Sequence, residues 1–260
     1  MSITRREFVT GVALGGLAAR APAGDAAIAP KQSMRAASLP IIVSAGNGFP
    51  YIEAAYQSLH GGADTLEAAI QVVRGPEEDP NDDSVGYGGL PNEEGVVELD
   101  ACCMHGPSRR AGAVGGVHDI KNVSLLAREV MLHTGHVMLV GEGATRFALA
   151  RGFKRENLLT DDSRKVWLLW KESHADWWGP GLADPSWKSR LQQRLQSQDA
   201  AAQVKRLAEI AQDLGIPEDR RMAAVRKVLF PPTGTIHCSA LNAKGEMSGV
   251  TTTSGLAWKL

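Results

Sequence analysis

The sequence predicts a close-packed, turn-rich α/β architecture, and three observations carry that expectation. Gly occurs 28 times among Ala-rich stretches, against five Phe and three Tyr, so backbones are set to approach one another closely, unlike those of a helical bundle. Short apolar runs bounded by Gly, Pro and Asn alternate with stretches of helical spacing. Near the carboxy end, two β-rich segments flank a tight turn. A length of 260 residues, 43% hydrophobic and 22% charged, suits one large domain or two small ones and excludes a fibre or a disordered chain. Lys and Arg total 28 against 29 Asp and Glu, so there is no basic excess of the kind nucleic acid or an anionic membrane surface selects.

Residues 1–30 read as a signal peptide. Arg5-Arg6 and Phe8 precede a weakly apolar, Gly/Ala-rich run from Val12 to Ala19, and Ala21-Pro22-Ala23 supplies small residues for cleavage. The paired arginines point to the twin-arginine type, which predicts a periplasmic or secreted protein with no membrane association once the signal is removed. No other segment approaches the ~18 continuous apolar residues of a membrane helix.

Leu39 to Ser44 is a candidate buried strand, ended by the turn Ala45-Gly46-Asn47-Gly48. Ile52, Ala55, Tyr56 and Leu59 share a helical face. A second helix carries Leu66, Ala69, Ile70 and Val73, with Asp64 as N-cap and Glu67 completing a capping box. The Gly/Pro/Asp/Asn-dense stretch from Gly75 to Glu94 predicts turns, Val96–Leu99 a strand that Cys102-Cys103 follow, and Ala111–Val117 another strand. Val123–Leu132 has helical spacing, His136–Val140 reads as a buried strand, and Gly141-Glu142-Gly143 opens a helix over Ala144–Arg151.

From about Ser163 to Pro232 the texture changes to a long surface connection (163–232). It holds Trp167, Trp170, Trp177, Trp178 and Trp187, a polar helix to about Leu214 and a short helix stopped by Pro231-Pro232. The tryptophans suit either a glycan-stacking platform or an anchor for the connection. Thr235–Leu241 and Glu246–Thr253 then form a hairpin around Asn242-Ala243-Lys244-Gly245. With that four-residue loop, Thr235 stands opposite Thr252, and Thr251 and Thr253 lie within a one-residue slip.

No cofactor or metal is expected. Arg146 stands where a dinucleotide loop starting at Gly141 needs its third Gly, and His133 and His136 lack supporting ligands. Cys102 and Cys103 are read as small apolar residues, and His237, on the Thr235 face of its strand, as a satisfied structural histidine.

Thr235 is the candidate nucleophile. It follows Gly234 after a Pro-Pro stop, where scission exposes an amino-terminal Thr that unites a nucleophilic hydroxyl with its own α-amine as base. Gly234-Thr235-Ile236-His237-Cys238-Ser239-Ala240 and Gly249-Val250-Thr251-Thr252-Thr253-Ser254-Gly255 resemble the cleavage and nucleophile segments of the glycosylasparaginase family, N-terminal nucleophile hydrolases that include the isoaspartyl peptidase/L-asparaginases. Asp83–Gly95, Val97–Ala101, Ala111–Val114, Ile120–Asn122 and Val140–Ala144 are similar to the glycosylasparaginase branch, so the resemblance runs from Leu39 to Leu260.

The resemblance implies an α+β fold, a four-layer αββα sandwich, made as a precursor that cleaves itself between Gly234 and Thr235. Residues 39–234 become the α subunit and 235–260 the start of the β subunit. Mature Thr235, hydrogen-bonded by Thr253, attacks the side-chain amide of asparagine or of its N-linked glycan derivative, and cleaved heterodimers pair as dimers. Gly234 stands where glycosylasparaginases usually carry Asp, and Gly46-Asn47-Gly48-Phe49 where they carry a pocket Trp. The family's substrate-binding Arg and Asp and its oxyanion-hole Thr-Gly pair would fall after Leu260, so the chain reads as truncated at its carboxy end. An isoaspartyl peptidase, or an inactive relative that binds only a ligand or partner, are the alternatives.

Overall fold

A computed structural model describes residues 40–173 and 200–259. The predicted signal segment and Trp177, Trp178 and Trp187 lie outside the described residues. Among the described residues, no helix is long and apolar enough to cross a membrane.

Among the described residues, six strands form one sheet: β1 (Ile41–Ser44), β2 (Glu98–His105), β3 (Arg110–His118), β4 (Met138–Val140), β5 (Thr233–Leu241) and β6 (Met247–Leu256). Their order is β1-β5-β6-β2-β3-β4, antiparallel except for the parallel β3–β4 pair at one edge. The hairpin β5–β6 therefore lies in the interior of the sheet, where neighbours on both sides hold its register. Four helices cover one face: α1 (Ile52–His60), α2 (Thr65–Glu78), α3 (Val123–His133) and α4 (Gly141–Ala150). Period-two alternation sends Leu99, Ala101, Cys103, Val114, Ile236, Cys238 and Val250 into the core they share with Val72, Val73, Leu126 and Ala148. The other face, from Val43 through Ser239, Gly249 and Met104 to Met138, is left open by the described residues, and Met104 is 62% exposed. The fold is α+β, and helices on one face of a sheet make one half of an αββα sandwich.

Asp64 caps α2 as expected, its Oδ1 accepting from the amides of Leu66 (2.8 Å) and Glu67 (3.3 Å). The second half of the capping box does not form, because the Glu67 carboxylate is taken by Arg128 of α3 at 2.5 Å. A larger departure follows at the helix end. The dense Gly/Pro stretch begins inside α2, which runs through Gly75 and Pro76 to Glu78. Gly75 lets the Tyr51 ring lie against the helix, since a Cβ there would be 2.4 Å from that ring. The last turn survives the proline because Glu77 is fully buried and hydrogen-bonded below the sheet.

Three further expectations change. Strand β2 does not end at Leu99 but continues to His105, so Cys102 and Cys103 lie within it on opposite faces, the first exposed and the second buried. The run His136–Val140 is an edge strand of three residues and not a buried one, because only β3 pairs with it and only one of its faces is covered; Met138 is 54% exposed. The stretch 163–232 is not simply a surface connection. Helices α5 (Asp161–Ser173), α6 (Ala200–Asp213) and α7 (Glu218–Leu229) close around a core of their own, in which Val166, Leu169, Leu207, Ala211, Val225 and Val228 are buried together with Leu90. Trp170 stacks on Trp258 with centroids 5.1 Å apart, and Trp167 Nε1 donates to Glu93 O at 3.1 Å. These two tryptophans anchor the segment. Lys227 of α7 then pairs with Asp83 at 2.5 Å, fastening the 79–90 loop beside β5.

Candidate active site

The hairpin that carries the candidate nucleophile is closed by its own turn residue. Asn242 N donates to Glu246 O at 3.0 Å, and Asn242 Oδ1 accepts from the amides of Lys244 (2.9 Å) and Glu246 (3.1 Å). Asn242 thus faces Glu246, the loop between them is Ala243-Lys244-Gly245, and Gly245 takes the left-handed conformation with φ 80°. Leu241 pairs with Met247 and Ile236 with Thr252, one residue out from the register expected for a four-residue loop. A bulge follows: Gly234 pairs with Gly255, so two residues of β6, Thr253 and Ser254, stand against the single Thr235. Bulges re-aim side chains at the point where they occur. Thr235 accordingly meets Thr253 and not Thr252, the slip the sequence had allowed for.

The three predicted residues come together. Thr235 Oγ1 has two acceptors in reach, Gly234 O at 2.8 Å and Thr253 Oγ1 at 3.1 Å. Thr253 Oγ1 accepts from Gly255 N at 2.9 Å and donates to Gly234 O in a short contact. The Gly234–Thr235 peptide lies within β5, and its carbonyl oxygen receives a hydroxyl donor from across the ladder. Such a donor draws electron density from the carbonyl carbon and stabilises negative charge on its oxygen. The adjacent Thr235 hydroxyl is the one nucleophile-type group of the cluster joined to that same peptide.

The surroundings of Gly234 hold residues that the sequence did not single out. Gly234 is packed so closely against the 82–84 turn that a Cβ on it would lie 2.1 Å from Ser84 Cβ and 2.3 Å from Ser84 Cα. Ser84 O accepts from Ser254 N (3.1 Å) and Ser254 Oγ (2.8 Å), so the bulge and the turn are tied together. Asp82 Oδ1 accepts from Ser84 N at 2.9 Å and, in a short contact, from Ser84 Oγ; Asn47 Nδ2 donates to Asp82 Oδ2 at 3.2 Å. Asn47 comes from the segment after β1, where the resemblance put a different residue type. On the far side, Asp100 is the ladder partner of Thr253, and its Oδ1 accepts from Gly116 N at 2.8 Å in a second bulge where Gly116 has φ 57°. Alternation along a strand continued to His105 would have put Asp100 on the Thr253 face.

His237 shares that face, but both of its ring nitrogens are occupied: Nδ1 lies 2.8 Å from Thr251 Oγ1 and Nε2 2.7 Å from Ser239 Oγ. It is a satisfied histidine, as its sequence position suggested. Among the thiols, burial pushes Cys103 up to about 11 and Cys238 up to about 12, which keeps both protonated and unreactive at neutral pH.

Comparison with known proteins bears on this arrangement. The chain is 33% identical over 263 residues to an N(4)-(beta-N-acetylglucosaminyl)-L-asparaginase of Elizabethkingia miricola, a match that takes in 100% of this chain and 63% of that one. It is 38% identical over 153 residues to the protein of that name from Rattus norvegicus, covering 57% of this chain and 44% of the relative. The Mus musculus protein matches at 39% over 153 residues, 57% and 43% of the two chains. The chain therefore spans less than two thirds of the length of these curated relatives. A family model described as Asparaginase (Asparaginase_2) matches residues 50–260, which includes the hairpin and every residue of the Thr235 cluster except Asn47. The chain belongs to this asparaginase family, the one that contains the glycosylasparaginases.

Proposed function

We propose that the chain cleaves itself between Gly234 and Thr235 and that the freed Thr235 is the nucleophile of an amidohydrolase acting on the side-chain amide of asparagine, free or linked to N-acetylglucosamine. The observation that carries this reading is the position of the Thr235 hydroxyl at a peptide carbonyl that already receives the Thr253 hydroxyl.

In the first stage Thr235 Oγ1 bonds to the Gly234 carbonyl carbon while Thr253 steadies the developing oxyanion. The C–N bond breaks, the hydroxyl proton passes to the departing nitrogen, and an ester joins Gly234 to Thr235. Water hydrolyses that ester, leaving a carboxylate on Gly234 and an α-amine on Thr235. In the second stage the α-amine takes the Thr235 hydroxyl proton and the alkoxide attacks the amide carbon of the substrate. The protonated α-amine passes that proton to the leaving nitrogen, which departs as ammonia or as a glycosylamine, and water then hydrolyses the β-aspartyl ester, releasing aspartate and restoring the Thr235 hydroxyl. Arg5-Arg6 and the weakly apolar run after them further lead us to propose export by the twin-arginine route, and the family resemblance leads us to propose pairing of cleaved heterodimers into dimers.

Intact-mass measurement of the purified chain tests the first stage. A fragment beginning at Thr235 is expected, and its absence after prolonged incubation overturns the reading. Aspartate release from asparagine and from N4-(beta-N-acetylglucosaminyl)-L-asparagine then tests the second.

A further inference from the structure

We propose that Glu77 is a positioning residue for the Thr235–Thr253 pair, acting through the hydroxyl of Thr252. The proposal rests on the cleavage reading above and deepens it. Glu77 is 0% exposed, in the last turn of α2, under the face of the sheet opposite the threonine pair. A carboxylate is hardly ever buried without partners, and each of its oxygens has them. Oε1 accepts from Thr252 Oγ1 at 2.8 Å and from Ser124 N at 3.0 Å, and Oε2 accepts from Ser124 Oγ at 2.6 Å.

The place of Thr252 gives this contact its consequence. Thr252 is paired on both sides, with Ile236 of β5 and Ala101 of β2, and it is the last regular pair before the bulge that sets Thr253 and Ser254 against Thr235. On the β5 side the bulge leaves Thr253 and Ser254 out of the regular ladder, while Thr253 keeps Asp100 of β2 on its other side, so the aim of Thr253 toward Thr235 depends on how firmly the preceding pair is held. Thr252 is itself fully buried, and Glu77 provides the acceptor for its hydroxyl. The contact therefore fixes the β6 backbone one residue before Thr253, from beneath the sheet. Glu77 touches none of the reacting atoms.

Four variants of the full chain separate positioning from general stabilisation. Thr252→Val keeps shape and burial but removes the hydroxyl, and we expect the rate of appearance of the fragment beginning at Thr235 to fall about tenfold, since small misplacements of reacting groups cost rate steeply. Ser124→Ala removes the Oε2 contact and leaves the Thr252 contact, so it should lower the melting temperature without changing the cleavage rate. Glu77→Gln keeps an oxygen toward Thr252 and should restore the cleavage that Glu77→Ala loses. A wild-type rate in Thr252→Val, or equal slowing by Thr252→Val and Ser124→Ala, overturns the proposal. The same variants in the uncleavable Thr235→Ala background give a second reading, by hydrogen exchange of the Gly255 amide that donates to Thr253 Oγ1. Exchange should quicken about tenfold with Thr252→Val and not with Ser124→Ala, in line with local opening at the bulge; equal exchange in the two overturns the proposal. If the wild-type chain fails to cleave, the cleavage reading falls, while this exchange comparison still decides the role of Glu77.

Discussion

Thr253 Oγ1 lies 3.1 Å from Thr235 Oγ1 and donates to the carbonyl oxygen of Gly234, so one hydroxyl from β6 touches both the proposed nucleophile and the peptide group proposed to be cleaved. The Gly255 amide fixes the direction of that donation, because it occupies a lone pair of Thr253 Oγ1 at 2.9 Å. The two threonines therefore have different parts, and their substitutions should differ. Thr235→Ala should leave the chain intact at all times. Thr253→Ala removes a donor to the developing oxyanion and should slow cleavage about 10²–10³-fold, the usual cost of losing one such donor. Timed intact-mass spectra read both, and a Thr253→Ala chain that cleaves as fast as the wild type removes Thr253 from the proposed mechanism.

Gly234 stands where the resemblance led us to note the missing carboxylate, and the packing gives a reason for the glycine. A Cβ would overlap Ser84 at 2.1–2.3 Å, and the overlap involves the Ser84 backbone as well as its side chain, so trimming Ser84 does not relieve it. Gly234→Ala should therefore destabilise the fold by about 1–3 kcal/mol, as overpacking does. Gly234→Asp should cost at least as much. Urea denaturation in the Thr235→Ala background, where no cleavage complicates the transition, measures the difference; equal midpoints with and without the Gly234→Ala substitution would show that the 82–84 turn yields freely.

Cys102 faces the open side of the sheet, whereas burial holds the thiols of Cys103 and Cys238 up at about 11 and about 12. A thiol reacts through its thiolate, and burial works against both access and ionisation at Cys103 and Cys238, whereas Cys102 is exposed. Iodoacetamide at neutral pH should modify Cys102 in the native chain, with Cys103 and Cys238 reacting only after unfolding. Peptide mapping reads the sites, and labelling of Cys238 at the rate of Cys102 would contradict the burial of β5 against α2.

Local signals were enough for the elements whose stability is local. Asp64 caps α2 from one turn away, the β5–β6 hairpin is announced by Asn242 and Gly245, and the threonine pair followed from register arithmetic to within one residue. The residue of error comes from the Asn242 side chain, which takes over the Glu246 amide and shifts the closing pair of the loop. Where the sequence reading ended elements early, a distant partner held them together. Gly75-Pro76 reads as a break, yet α2 continues because Glu77 is bound by Ser124 and Thr252, 47 and 175 residues away. Helices α5 to α7 bury their apolar stripes mainly against each other, so a polar, Trp-rich stretch looked like surface until its own core was assembled. Ser84 and Asp100 fall in segments that carry the resemblance, yet neither they nor Asp82 could be placed at the site, since turns and a strand taken to end at Leu99 gave no hint that they flank Gly234 and Thr253.

The buried carboxylate of Glu77 also makes a prediction about pH. Burial pushes its pKa from the ordinary 4.5 up to about 7, against the opposing pull of the Ser124 and Thr252 hydrogen bonds and the Arg74 charge. Between these two values the folded chain holds a proton that the unfolded chain has released. Stability from this group is thus fully present below about 4.5 and is lost as pH rises through about 7. The span corresponds to a ceiling of about 3 kcal/mol, since each pKa unit is worth about 1.4 kcal/mol. Glu77→Gln cannot titrate, so the difference in unfolding free energy between this variant and the wild type should shift in favour of the variant as pH rises from 5 to 8. Urea titrations at several pH values in the Thr235→Ala background measure that difference directly. A difference independent of pH would mean that the three hydrogen bonds outweigh burial and keep Glu77 ionised throughout, and the carboxylate would then hold Thr252 as a full negative charge.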